Sequence, residues 1–194
     1  WKTINNTAGN IKADYIIIAA PYFYNNCKTE LNDIANHRKN INGFDVVIVN
    51  YENVVSDNTG YSSGVDPDYY KEVRLLNFLK SVYENGSADH TFDGRFSYVL
   101  LIGDDKCNEL YEVKSGLKLS YNPVNQTYSK TPSDRFYSNV TSDNYANDGF
   151  DDLFVGRFSV DSKNELQNII VKTINFETKS LNAEWRSKTL LFSG

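Results

Sequence analysis

The chain has 194 residues, 40% of them hydrophobic and 23% charged, which fits one domain with a sizeable core. A net charge of −5 and an isoelectric point near 5.1 exclude the basic stripe expected of a nucleic-acid binder. No apolar run reaches membrane-spanning length; the longest, residues 15–24, also contains Pro21.

Abundant Asn, with 14 Tyr against no Met, suits a secreted protein with a polar surface and equally an AT-rich genome. The chain opens at Trp1 rather than Met and shows no signal peptide, so a removed upstream segment is expected. Cys27 and Cys107 make at most one disulfide and leave the redox compartment open.

In chain order, residues 14–20 (DYIIIAA) form the first strand-like run. Leu31, Ile34, Ala35 and Ile41 then keep helical spacing up to Gly43, which stops the turn. Residues 45–50 (DVVIVN) are the second run. Asp66-Pro67-Asp68 supplies an N-cap with proline at the first helical position; Val73, Leu76, Leu79, Val82 and Tyr83 line one side of that helix, and Asn85-Gly86 closes it. Residues 97–103 (SYVLLIG) are the third run. Continuous aliphatic stretches of this kind suit strands buried on both faces of a parallel sheet.

An irregular insert follows, residues 104–152. Within it, residues 110–113 and 117–121 flank Lys114-Ser115-Gly116, which predicts a short hairpin there; the remainder is rich in Asn, Ser, Asp and Tyr, with Pro123 and Pro132. Residues 153–160 (LFVGRFSV) read as the fourth strand. Ser162 and Glu165 form a capping box for a helix whose inner stripe is Leu166, Ile169, Ile170 and Ile174. A last strand-like run is 188–193 (KTLLFS). The order βαβαβ, insert, βαβ predicts an α/β three-layer sandwich with a mostly parallel sheet. A flavodoxin-like start puts the first run inside the sheet, with the second on one side and the third on the other.

Arg157 interrupts the fourth run. Strand alternation puts it on one face with Leu153, Val155 and Ser159, while Phe154, Phe158 and Val160 face the other way. A covered guanidinium needs an acceptor, because an unpaired buried charge costs several kcal/mol, roughly. Asp104, ending the third strand in LLIGD, and Asp134, in TPSD at the tail of the insert, are the two candidates. The alternative is an edge strand whose arginine reaches water. Gly156 beside it suggests a bulge or a close backbone approach.

YVLLIGD, PSDRFYS and DDLFVGRFSVDSKNELQNIIVKTINFE together resemble the gingipain-type cysteine peptidases, secreted bacterial endopeptidases with a caspase-like catalytic unit. ADYIIIAAPYF and HRKNINGFDVVIV are similar too, so the resemblance covers nearly the whole chain, with residues 134–177 its most specific part. The resemblance implies a unit of two side-by-side α/β subdomains. The catalytic histidine, in a Gly-His-Gly motif, and the nucleophilic cysteine, in an Ala-Cys run, both belong to the second. Neither motif occurs in these 194 residues. Residues 1–180 therefore read as the first, non-catalytic subdomain and residues 181–194 as the start of the second.

The function so implied is a scaffold subdomain of a secreted or cell-surface cysteine endopeptidase. Its partners would be the catalytic subdomain of the same parent and, through it, a protein or peptide substrate. Two other readings stay open: a flavodoxin-like binding module or inactive relative, and part of a sortase-like transpeptidase.

Other candidate residues carry less. His90 and Cys107 flank the third strand, but at opposite ends, as much as ~20 Å apart, too far for a thiolate–imidazole dyad. His37 reads as part of a solvated helix face. Cys27, at a helix start, is either a thiol of lowered pKa or a structural one. The acidic run 143–152 has the oxygen-rich look of a calcium site, yet with Gly149 in sixth place the EF-hand frame puts Ala146 third and Val155 twelfth. Calcium stays open because related peptidases bind it; no phosphate loop, zinc spacing or serine triad points to any other cofactor.

Overall fold

The structure is a computed structural model that describes residues 11–56, 67–85, 97–105, 110–122, 127–141, 151–179 and 188–189. Its elements are β1 (Tyr15–Ala19), α1 (Pro21–Asn26), α2 (Lys28–Asn42), β2 (Val46–Asn50), α3 (Tyr51–Val55), α4 (Pro67–Asn85), β3 (Tyr98–Ile102), β4 (Leu117–Asn122), β5 (Thr127–Pro132), a 3-10 turn (Asp134–Tyr137), β6 (Phe154–Phe158) and α5 (Lys163–Lys179).

Four strands form an all-parallel sheet in the order β2-β1-β3-β6. The first strand is interior with β2 and β3 on either side, as its aliphatic run predicts; Ile16, Ile17, Ile18 and Ala19 are all fully buried. Buried Asp14 sets the common starting line. Its Oδ2 accepts the Asp45 N–H at 2.8 Å, and its carbonyl accepts the N–H groups of Ser97 and Tyr98. One residue thus registers the starts of three strands.

Helices flank the sheet in two layers. On one side α2 packs with α5, and on the other α3 packs with α4. Leu31 and Ile34 of α2, Leu75, Leu76, Leu79 and Val82 of α4, and Leu166 and Ile170 of α5 are buried in the shared core. Gly43 stops α2 in the left-handed conformation at φ 73° and donates to the Lys39 carbonyl. At the start of α5 the Ser162 hydroxyl accepts the Glu165 N–H, and Glu165 reaches back to the Asp161 N–H at 3.0 Å.

Several expectations need correction. The hairpin of the insert is β4–β5, running antiparallel from Leu117 to Pro132, not a turn at Lys114-Ser115-Gly116. Residues 110–113 instead return beside the end of β3: the Asp104 N–H donates to the Tyr111 carbonyl and the Val113 N–H to the Asp104 carbonyl. Gly116 serves close packing rather than a turn, since a Cβ there would overlap the Phe136 ring. Two short helices, α1 and α3, were not expected. Pro21, at the first position of α1, ends β1 and opens the helix because it has no N–H to donate. Ile41 lies exposed on α2 rather than inward. The final run, 188–193, lies mostly outside the described residues.

Candidate functional site

In α/β sheets ligands bind beyond the carboxyl ends of the strands, where strand order reverses, which here is between β1 and β3. The chain itself fills that place. Gly103 ends β3 at φ 138°, and a Cβ there would meet the Tyr111 carbonyl oxygen at 2.5 Å and Ala20 at 3.0 Å. Residues 110–116 are held against it from several sides. The Tyr22 N–H donates to the Leu110 carbonyl at 2.7 Å, and the Ser115 N–H donates to Asp105 Oδ1 at 2.7 Å. Two tyrosines grip the Lys114 backbone: its N–H donates to the Tyr51 hydroxyl at 3.3 Å, and its carbonyl accepts from the Tyr137 hydroxyl at 2.7 Å.

Arg157 ties this cap to the sheet. Its Nε and one terminal nitrogen donate to both oxygens of Asp134, at 2.8 and 2.7 Å. The other terminal nitrogen donates to the carbonyls of Gly103 at 2.8 Å and Val113 at 2.6 Å. One guanidinium thus joins β6, the end of β3, the returning segment and the 3-10 turn. β6 is an edge strand of the described sheet, yet its arginine does not reach water: the side chain is 9% exposed. Of the two candidate carboxylates, Arg157 takes Asp134. Asp104 instead accepts the Asp105 N–H at 2.8 Å, while its backbone anchors the returning segment.

The local sequence explains the placing of Asp134. Ser133 caps the turn by accepting the Arg135 N–H, and three residues per 3-10 turn set Asp134 and Tyr137 on one side. That Asp-x-x-Tyr spacing is the signal by which Tyr137 could have been read from sequence. Tyr51 carried no such signal.

Electrostatics favour a permanent pair. Burial opposes the Arg157 charge, but the hydrogen bonds and charge of Asp134 outweigh it and raise the guanidinium pKa above its ordinary value. Burial likewise pushes the Tyr51 and Tyr137 phenols up, so both stay neutral. The hub holds no nucleophile and no titrating base. It is built to hold backbone in place.

The model of peptidase family C25 matches residues 9–194. The chain belongs to peptidase family C25. It is 32% identical over 103 residues to gingipain R2 and to gingipain R1 of Porphyromonas gingivalis; that is 53% of this chain, but 11% and 8% of the relatives' lengths. In fold it is similar to the dimeric latent PorU of the same organism, with a TM-score of 0.58 at 22% identity over 93% of this chain and 17% of that one. The chain thus spans about a tenth of the gingipains it matches.

Two further features of this C25 chain differ from the sequence reading. His37 is not on a solvated face. It is buried, with Nε2 2.6 Å from Glu177 Oε2, while Arg38 donates to both Glu177 oxygens at 2.8 Å. The two fragments HRKNIN and INFE therefore meet in space, bolting α2 to α5. Cys27 is buried at the junction of α1 and α2 without a disulfide, and burial, assisted by Glu30, raises its thiol pKa, the opposite of an activated nucleophile.

His90, Cys107 and residues 143–150 lie outside the described residues. Of the acidic run, Asp151 and Asp152 are engaged by the chain. Asp151 Oδ1 accepts from the Ser138 hydroxyl at 2.7 Å and from Arg135 at 3.1 Å. Asp152 accepts the N–H groups of Val140 and Thr141 at 2.9 and 3.0 Å. Among the described residues no cluster of His, Cys, Asp and Glu has the arrangement of a metal site, and no helix is long and apolar enough to cross a membrane.

Proposed function

We propose that this C25 chain is the non-catalytic first subdomain of a gingipain-like cysteine endopeptidase, working at the cell surface or outside the cell. Its role is to hold strand ends in a fixed frame for a catalytic half supplied by the same parent. The observation that carries this reading is the fourfold grip of Arg157 on Asp134, Gly103 and Val113. The grip joins the three fragments, IGD, PSD and VGRF, on which the family resemblance is most specific. The filled crevice at the ends of β1 and β3 speaks against a flavodoxin-like module, which needs that space for its cofactor. The absence of a Gly-His-Gly motif from the sequence speaks against a complete catalytic apparatus within these residues. Calcium, if bound by the parent, would serve structure rather than chemistry in this portion.

The test is enzymatic. The purified 194-residue chain should not hydrolyse arginyl, lysyl or mixed-sequence peptide reporters, whereas the longer parent should. Hydrolysis by the short chain that disappears on Cys107→Ala would overturn the scaffold role.

A further inference from the structure

An open groove lies at the amino ends of β1, β3 and β6, at the end of the sheet opposite the Arg157 hub. It encloses about 720 Å3, and its lining includes Tyr15, Tyr98, Phe154 and Gly156, with Arg38 and Arg135 at its sides. The strand register sets Tyr15, Tyr98 and Phe154 abreast, with ring centroids 6.1 and 5.4 Å apart and planes within 20° of parallel. This aromatic row ends at Phe154, which is 68% exposed. Beside it Gly156 leaves a notch, with nothing within 4 Å of the place a Cβ would occupy.

The backbone at this edge is also open. The Phe154 N–H donates to the Ser97 carbonyl and the Phe158 carbonyl accepts from Gly103, so residues 154, 156 and 158 turn their main-chain groups toward β3. Val155 and Arg157 therefore turn theirs outward, and no hydrogen bond from the described residues takes them. Edge strands are usually blunted by lysine, proline or a bulge. The sequence FVGRF has neither lysine nor proline, and its one charge is turned inward to Asp134.

We propose that β6 receives an extended peptide as an added strand, with an aromatic side chain stacked on Phe154 and seated over the Gly156 notch. Main-chain pairing with Val155 and Arg157 supplies affinity, and the aromatic row supplies selectivity. The charged lining is two arginines against one aspartate, Asp151, in a chain of net charge −5, so the preferred peptide carries acidic residues beside its aromatic one. A five-residue strand with one groove is small against the ~1,200 Å2 that stable protein–protein interfaces bury, which favours a peptide over a second copy of this chain. The peptide binds whether or not a catalytic half is attached, so this site and the scaffold role fail separately.

The experiment is an NMR titration of the 15N-labelled 194-residue chain with the acetylated peptide Asp-Val-Thr-Tyr-Thr-Val-Asp. Amide shifts should concentrate at residues 154–157, and binding should weaken about tenfold or more when the peptide tyrosine becomes alanine. Val155→Pro should abolish binding, because it deletes an outward N–H and leaves the β3 ladder intact. Phe154→Ala should weaken binding about tenfold and serves as the second variant if the proline form loses its native spectrum. No shifts at millimolar peptide, shifts centred elsewhere, or undiminished binding by natively folded Val155→Pro would each overturn the proposal. So would concentration-dependent shifts of the same amides without peptide, removed by Val155→Pro, which would mean that the edge pairs with a second copy.

Discussion

Glu177, near the end of α5, takes both terminal nitrogens of Arg38 on α2 at 2.8 Å, across 139 residues of sequence. The same carboxylate meets His37 at 2.6 Å, and the Arg38 guanidinium lies over the Tyr15 ring at 5.8 Å. Burial alone would raise the Glu177 pKa, but the hydrogen bonds from Arg38 and then His37 win, and the folded value falls below 4.5. Between the folded value and 4.5 the unfolded chain holds more protons, so stability rises with pH there. The contribution is fully present above pH 4.5 and is lost as pH falls through the lower, folded value. Urea unfolding at a series of pH values from 3 to 7 should show this slope in the native chain, by roughly one proton's linkage. Glu177→Gln should flatten it.

Arg157→Ala should cost about 3–5 kcal/mol, because it strands the Asp134 carboxylate and removes the donor to two carbonyls. Lysine should restore only a minor part, since it lacks the planar fork that serves Asp134 and both carbonyls at once. Asp134→Asn should cost less than Arg157→Ala, because the two carbonyls keep their donor. Denaturant midpoints for the three variants check the order; a loss below about 1 kcal/mol for Arg157→Ala would mean the hub contributes no more than a surface ion pair.

Two glycines should respond oppositely. Gly116→Ala should destabilise by about 1–3 kcal/mol, since its Cβ meets the Phe136 ring. Gly156→Ala has open space and an ordinary strand backbone, so it should be neutral or stabilising by up to about 1 kcal/mol. Thermal melts of both variants measure the contrast.

The Cys27 thiol should resist alkylation. It is fully buried, and burial holds its pKa up, so the thiolate is scarce as well as shielded. Iodoacetamide at pH 8 followed by peptide mapping should leave Cys27 unmodified in the folded chain and modified in urea. Labelling of the native chain would show that the α1–α2 junction opens.

What the sequence determined by itself was local. The aliphatic run Ile16–Ile18, Gly43 closing α2 and the Ser162–Glu165 box opening α5 were legible because each depends on a few neighbouring residues, through the periods of strand and helix and the special roles of glycine and capping side chains. The need of Arg157 for an acceptor was legible for the same reason. Which acceptor it takes was not, because Asp104 and Asp134 both lie at strand-end positions in the sequence. The choice depends on how residues 110–116 fold back and spend the Asp104 backbone. Tertiary structure also decided that His37 is buried: nothing in α2 says that α5 will bring Glu177 onto that face. The hairpin moved for a similar reason, since Gly116 is taken by the packing of Phe136 and cannot serve as the turn. Charge pairs and close packing between residues tens to more than a hundred positions apart are set by strand order and helix placement. No local pattern in the chain encodes those distances.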